Sequence, residues 1–254
     1  MILQDIITFL TTSANWQGPD GIPTRLAEHI EYSLIALVIA VLIALPVGLL
    51  IGHTGKGTAV VAGIANSFRA LPTIGLLIFF VVLISPHIHG KGDAAYLIPS
   101  EIVLVLLAIP SILSNTYAGV QNVDPAARDA AAGMGMTGSQ VLFRVELPCA
   151  LPLIMSGVRS ATLQVVATTT IAAYVSLGGF GRYVFDGQAQ QDYAQMAAGA
   201  ALVAVLAVLA DLMLALMQRG IVSRGISGRY ATTAVAGRTD ALSAEIVEAE
   251  VARV

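Results

Sequence analysis

Five stretches of this chain are each long and apolar enough to cross a lipid bilayer, so the solvent that its fold must satisfy is hydrocarbon as much as water. A spanning helix needs about 20 mainly apolar residues, because the hydrocarbon core is about 30 Å thick and each residue rises about 1.5 Å. The stretches run from about Tyr32 to Gly52, Thr58 to Ile84, Leu97 to Gly119, Leu151 to Leu177 and Tyr193 to Gln218. They dominate the whole chain: 56% of its 254 residues are hydrophobic and only 11% charged, with a mean hydropathy of +0.81. The sequence predicts an all-α, polytopic membrane protein of about five transmembrane helices. Pro46 and Pro72 fall inside two of the stretches, where each lost backbone hydrogen bond predicts a kink.

Charge and cysteine usage narrow the function classes. A net charge of -3, with thirteen basic residues spread along the chain, supplies no phosphate-binding stripe and excludes nucleic acid as a partner. Cys149 is the single cysteine, so no internal disulfide or cysteine-based metal cluster is available. The opening MILQDIITFL has no basic region and reaches Asp5 early, which reads against a cleaved secretory signal. Lysine and arginine also orient the chain. With the N-terminus outside, the inner side receives Lys56, Arg69, Arg128, Arg144, Arg159, Arg219, Arg224, Arg229, Arg238 and Arg253, and the outer side keeps Arg25, Lys91 and Arg182. The expected topology therefore has the N-terminus outside and the C-terminus inside, with lipid as a constant neighbour.

Residues 1–230 read as one transmembrane domain and residues 231–254 as an acidic cytoplasmic tail. In the tail Leu242, Ile246, Val247, Val251 and Val254 recur at helical spacing, and a short amphipathic helix or a disordered segment fits equally. The unusual feature is internal: about thirty patterned residues, Val120 to Ala150, separate the third and fourth spans, where short connections are the rule. Asp124 and Pro125 read as a helix N-cap and first helical residue. Ala126, Ala127, Ala130, Ala131 and Ala132 then favour the helix and leave little side-chain bulk, before Gly133, Gly135 and Gly138 interrupt it. A second short helix is expected from near Ser139, ending at Leu147-Pro148. Such a helix suits close docking to another protein, or lies as an ordinary amphipathic loop on the bilayer.

Asp129-Ala130-Ala131, Gly135, Val145 and Leu147-Pro148, at their spacing in this loop, resemble the EAA motif of permeases from ATP-binding-cassette importers. Two residues depart from it conservatively, Asp for Glu at the first position and Val for Ile near the end. Asn66-Ser67-Phe68-Arg69-Ala70-Leu71-Pro72-Thr73, the run Ile109 to Gly119, and Gly178-Gly179-Phe180-Gly181 look like the osmoprotectant branch of these permeases, so that the resemblance spans most of residues 25–220. The resemblance implies the methionine-importer-like, type I fold and import of a compatible solute such as glycine betaine, choline, carnitine or proline betaine. Methionine-importer permeases share several of the runs, so methionine or another small nutrient is the alternative cargo. It further implies that Asp124 to Pro148 is the coupling element that fits a cleft on cytoplasmic ATPase subunits, with an extracytoplasmic binding protein and a second, identical or similar permease subunit as further partners. ATP and magnesium would belong to the ATPase, leaving no cofactor on this chain.

Polar residues inside the spans carry functional and packing readings side by side. Arg159 and Asp211 should lie at similar depth and are expected to pair, either as packing or as a gate. Arg69 either faces an aqueous pathway or snorkels beside the break at Pro72. Thr168, Thr169 and Thr170 either satisfy backbone groups or line the route of translocation. Glu101 reads as a carboxylate near a helix N-terminus. His87 and His89 lack the support a zinc site needs, and Gly178-Gly179-Phe180-Gly181 lacks a phosphate-loop context and reads as an outer hinge or binding-protein contact. No P-loop lysine, partnered nucleophile or metal constellation is present, so the chain reads as non-catalytic. A stand-alone secondary transporter, which would show inverted repeats, is the other class of reading.

Overall fold

The computed structural model describes residues 2–58, 63, 67–68, 71–88 and 93–221, and every regular element among them is helical. Arg69, His89, Lys91 and the predicted tail lie outside the described residues. Helix α1 is Ile2–Thr11 and α2 is Ile22–Thr54. Helix α3 is Thr73–Ile84, α4 is Ala94–Gln121 and α5 is Pro125–Gly133. Helix α6 is Gly138–Val141, α7 is Leu147–Ala172, α8 is Gly181–Gln190 and α9 is Tyr193–Ile221. Four described helices are long and apolar enough to span a bilayer: α2, α4, the Gly138–Val175 rod and α9; Thr73–His87 is a shorter apolar one.

Helix α2 begins at Ile22 rather than near Tyr32, because its polar first turns are satisfied by protein. Arg25 pairs with Asp20 and Glu28, and His29 is fully buried with hydrogen bonds on both ring nitrogens. Its 33 residues exceed the hydrocarbon thickness, since about 20 suffice. The second predicted span differs in another way. Pro72 does not kink a continuous helix but stands extended before α3, with φ -68° and ψ 117°. Most of Thr58 to Leu71 lies outside the described residues.

Helix α4 is the axis of the bundle, packed by α2 on one flank and α7 on another, with two thirds of its spanning window (67%) buried. On α2, the residues Ala36, Ala40, Ala44, Gly48 and Gly52 recur every fourth position and are all buried. Facing them are Leu104, Ala108, Ile112, Thr116 and Val120 of α4, at the same interval. A Cβ at Gly48 would stand 2.7 Å from Thr116 Cβ, and one at Gly52 2.6 Å from Val120 Cβ. In lipid, where apolar surface gains nothing by leaving its solvent, such close approach through small residues is what holds helices together. The α4–α7 contact repeats the device at Gly157, where a Cβ would stand 2.6 Å from Asn115 Cβ.

The expected stop at Leu147-Pro148 is absent. Helix α6 runs through a π-helical turn, Leu142–Glu146, directly into α7, making one rod from Gly138 to Val175. Proline in a helix lacks an N–H and clashes with the carbonyl four residues earlier, here Arg144. The wider π turn falls on that carbonyl and absorbs both problems, so Pro148 continues the helix instead of ending it. Helix α9 leaves Val205, Val208, Leu209, Leu212, Met213 and Leu216 exposed, the expected face for a helix whose outer side meets lipid.

Candidate functional site

The element between α4 and α7 is built from local chemistry upward. Asp124 is the N-cap of α5, its Oδ1 accepting the Ala126 N–H at 2.9 Å, and Pro125 takes a first-turn position that needs no donor. The helix ends when Gly135 takes a left-handed φ of +83°. The Gly135 N–H then donates to Ala132 O at 2.9 Å and the Met136 N–H to Ala131 O at 3.2 Å, the Schellman arrangement that satisfies the last carbonyls. Thr137 N–H donates to Gln140 Oε1 at 2.8 Å as the rod restarts.

The residues singled out in this segment do not all share one face. Asp129, Ala130 and Gly135 are exposed, Ala131 is buried, and Val145, Leu147 and Pro148 are half-buried. Ala131 therefore anchors α5 from beneath while Ala126, Ala130, Ala132 and Gly133 present a low surface. Two large apolar side chains flank it in the open: Met134 is 72% exposed and Phe143 59% exposed. Sequence reasoning passed over both. Exposed apolar groups beside a polar rim mark interaction surfaces, and here they sit where a partner would meet the small-residue helix.

Beneath this surface lies a buried charge that sequence reasoning also missed. Glu146, in the π turn, is 1% exposed. Its Oε2 accepts from His53 Nδ1, at the end of α2, at 2.7 Å, and its Oε1 lies 3.0 Å from Arg128 Nε on α5. The Arg128 guanidinium also donates to the Val120 carbonyl near the end of α4. Glu146 stands immediately before Leu147-Pro148, so a carboxylate at a membrane boundary was the available signal.

At mid-bundle the structure brings Arg159 and Asp211 together. Arg159 Nε and Nη2 donate to the two carboxylate oxygens of Asp211, each at 2.9 Å, and Nη1 reaches Gln218 Oε1 at 3.4 Å. This two-pronged geometry is the strong form of an arginine–carboxylate contact and ties α7 to α9. Thr169 is fully buried; its hydroxyl donates to Val165 O at 2.8 Å and meets Ser33 Oγ at 3.0 Å, so it joins α7 to α2. Glu101 is also buried, without a hydrogen-bond partner on either oxygen among the described residues, in the second turn of α4 rather than at its N-terminus.

At the opposite end from α5, Gly178-Gly179-Phe180-Gly181 is an internal clamp, not an exposed hinge. The Gly179 N–H donates to Glu28 Oε2 at 2.7 Å and the Phe180 N–H to His29 Nδ1 at 3.3 Å. His29 Nε2 donates to Val166 O at 2.9 Å. With one nitrogen accepting and the other donating, the ring is a neutral imidazole in a fixed tautomer. Phe180 is 2% exposed; a Cβ at Gly178 would displace the Glu28 carboxylate, and one at Gly181 would fall 2.1 Å from the Thr170 carbonyl oxygen, where only glycine fits. Tyr183 on α8 closes the clamp by donating to Asp20 O at 2.7 Å. Burial pushes its hydroxyl up to about 12.

Comparison with known proteins agrees with this arrangement. Residues 24–223 match the family model described as binding-protein-dependent transport system inner membrane component. The chain is 31% identical to the glycine betaine/carnitine/choline transport system permease protein OpuCB of Bacillus subtilis, over 89% of this chain and 98% of that protein. It is 34% identical to the choline transport system permease protein OpuBB of the same organism, over 78% and 88% of the two chains. Among solved structures, a chain of the inward-facing MetNI methionine ABC transporter superposes with a TM-score of 0.68 at 21% identity, covering 78% of this chain and 94% of that one. The chain therefore belongs to the family of binding-protein-dependent transport system inner membrane components, the membrane-embedded permeases of ATP-binding-cassette importers.

Proposed function

We propose that this permease imports a compatible solute carrying a quaternary ammonium group, such as glycine betaine, choline or carnitine, driven by ATP hydrolysed on a partner chain. The single observation that carries the reading is the segment from Asp124 to Pro148: a capped, small-residue helix, exposed, flanked by Met134 and Phe143, and continuous through α7 with the bundle. The cargo class rests on the relatives at 31% and 34% identity, which are named for choline, carnitine and glycine betaine transport. Permeases of this family do not themselves perform catalysis. The ATPase subunits dock at Asp129, Ala130 and Gly135, with Ala131 seating the helix from beneath, and supply ATP and magnesium, so this chain needs no cofactor. The distribution of lysine and arginine supports α5 on the cytoplasmic side and the Gly179 clamp outside, where a binding protein delivers the cargo.

Alternating access follows from these placements. Closure of the ATPase pair displaces α5, and the spans joined to it reopen toward the binding protein. A second permease subunit completes the route, since a handful of spans from one chain encloses no channel. The test is co-purification of the chain in detergent with the ATPase encoded nearest to it, followed by uptake of labelled glycine betaine and choline into vesicles holding the full assembly. ATP-dependent, binding-protein-dependent uptake is expected. A wild-type chain that holds no ATPase sinks the reading.

A further inference from the structure

Glu146 answers to no role in cargo binding or ATPase docking, yet it is the most thoroughly buried acidic side chain among the described residues. A carboxylate removed from water is strongly unfavourable unless it is paired, and stripping one partner from a buried pair leaves an uncompensated charge. Here the partners come from three directions: His53 from α2, Arg128 from α5, and through Arg128 the Val120 carbonyl of α4. The carboxylate itself belongs to the π turn that leads into α7. Four helices thus meet at one side chain, one of them the exposed docking helix and the others spans.

We propose that Glu146 is the joint that delivers displacement of α5 to the spans α2 and α7, a positioning residue for transport that rests on the function proposed above. The π turn is part of the device. It adds one residue to a helical turn, and since each residue advances the helix by about 100°, it rotates the segment before it relative to α7, with Glu146 at the junction. Apolar packing would let α5 slide over the bundle. A buried charge with fixed partners does not, because any movement that separates Arg128 or His53 from the carboxylate exposes an unpaired group. Hence α5, the end of α2 and the start of α7 move together.

The test is the full transporter reconstituted in proteoliposomes with labelled glycine betaine, measuring cargo moved per ATP hydrolysed in wild type, Glu146→Gln and Arg128→Gln. Glu146→Gln keeps the shape and removes the charge; Arg128→Gln breaks the same contact from the partly exposed side and guards against a misfolded first variant. Both variants are expected to retain the ATPase subunit while cargo per ATP falls at least about fivefold, the lower range of site-to-site coupling. A ratio within about twofold of wild type in either variant, below that coupling range, overturns the joint. So does a loss of bound ATPase that matches the loss of transport in both, since that is adhesion and not transmission. A wild-type assembly that neither holds an ATPase nor moves betaine overturns the proposed function, and the joint with it.

Discussion

Gly135→Ala isolates the backbone geometry that ends the docking helix. Gly135 holds φ at +83°, and among the described residues nothing lies within 4 Å of the place its Cβ would occupy, so no steric clash within them contributes. The whole penalty is conformational: an L-residue with a side chain in the left-handed region costs roughly 1–2 kcal/mol. That amounts to about a 5- to 30-fold shift in an equilibrium. Two N–H groups depend on this turn, Gly135 to Ala132 O and Met136 to Ala131 O, and their hydrogen exchange should speed up by that factor in Gly135→Ala. If the ATPase recognises only the capped form, its apparent affinity falls by no more than the same factor, because affinity scales with the fraction of competent conformer. Gly135→Asn should recover most of both, as asparagine visits the left-handed region readily. Amide exchange and a detergent titration with the ATPase subunit read the two effects. Equal damage from alanine and asparagine, or no change from alanine, refutes the reasoning.

Arg159→Ala and Asp211→Ala should each lower the thermal midpoint in detergent, and the double variant should be milder than the sum, because the second change removes the charge that the first left alone; strict additivity would show that the 2.9 Å contacts carry no coupling. The buried Tyr183 hydroxyl, pushed up to about 12, gives a pH signature. Between the ordinary tyrosine value of about 10 and 12, the unfolded chain releases this proton while the folded chain keeps it, so stability falls as pH rises. Tyr183→Phe should flatten that part of the alkaline decline and lower stability at neutral pH by about 1 kcal/mol, the worth of one hydrogen bond; an unchanged alkaline profile contradicts the assignment.

What was legible in the sequence was local or periodic. The start of α5 was readable because Asp124 and Pro125 act on their own neighbours, and Arg159 with Asp211 because depth along two adjacent spans follows from counting residues. The continuity through Pro148 was not readable, since it depends on a π turn whose extra residue leaves no compositional trace. Glu28 and His29 were hidden for a different reason: the backbone groups they hold, at Gly179 and Phe180, are 151 residues away, and no short pattern reports such a pairing. The early start of α2 was hidden by the same partners, because Arg25 and Glu28 look like solvent-facing residues until their contacts are known. Glu146 was lost between the motif residues on either side of it.

The four-residue repeat along α2 has a further consequence. The repeat narrows from alanine to glycine along Ala36, Ala40, Ala44, Gly48 and Gly52, and a shift of one turn that brings Ala44 to the place of Gly48 would set its Cβ about 2.7 Å from Thr116 Cβ, so the seam with α4 fixes register as well as the distance between the axes. The ends of α2 fix it again. His29 engages Val166 and Phe180 at one extremity, and His53 engages Glu146 at the other, 24 residues and about 36 Å along the axis. Between the two imidazole pins Ser33 meets Thr169, so α2 is held along its length as well as at its ends. A helix held this way behaves as a strut: a displacement applied at the His53 end is presented at the His29 end without loss to sliding.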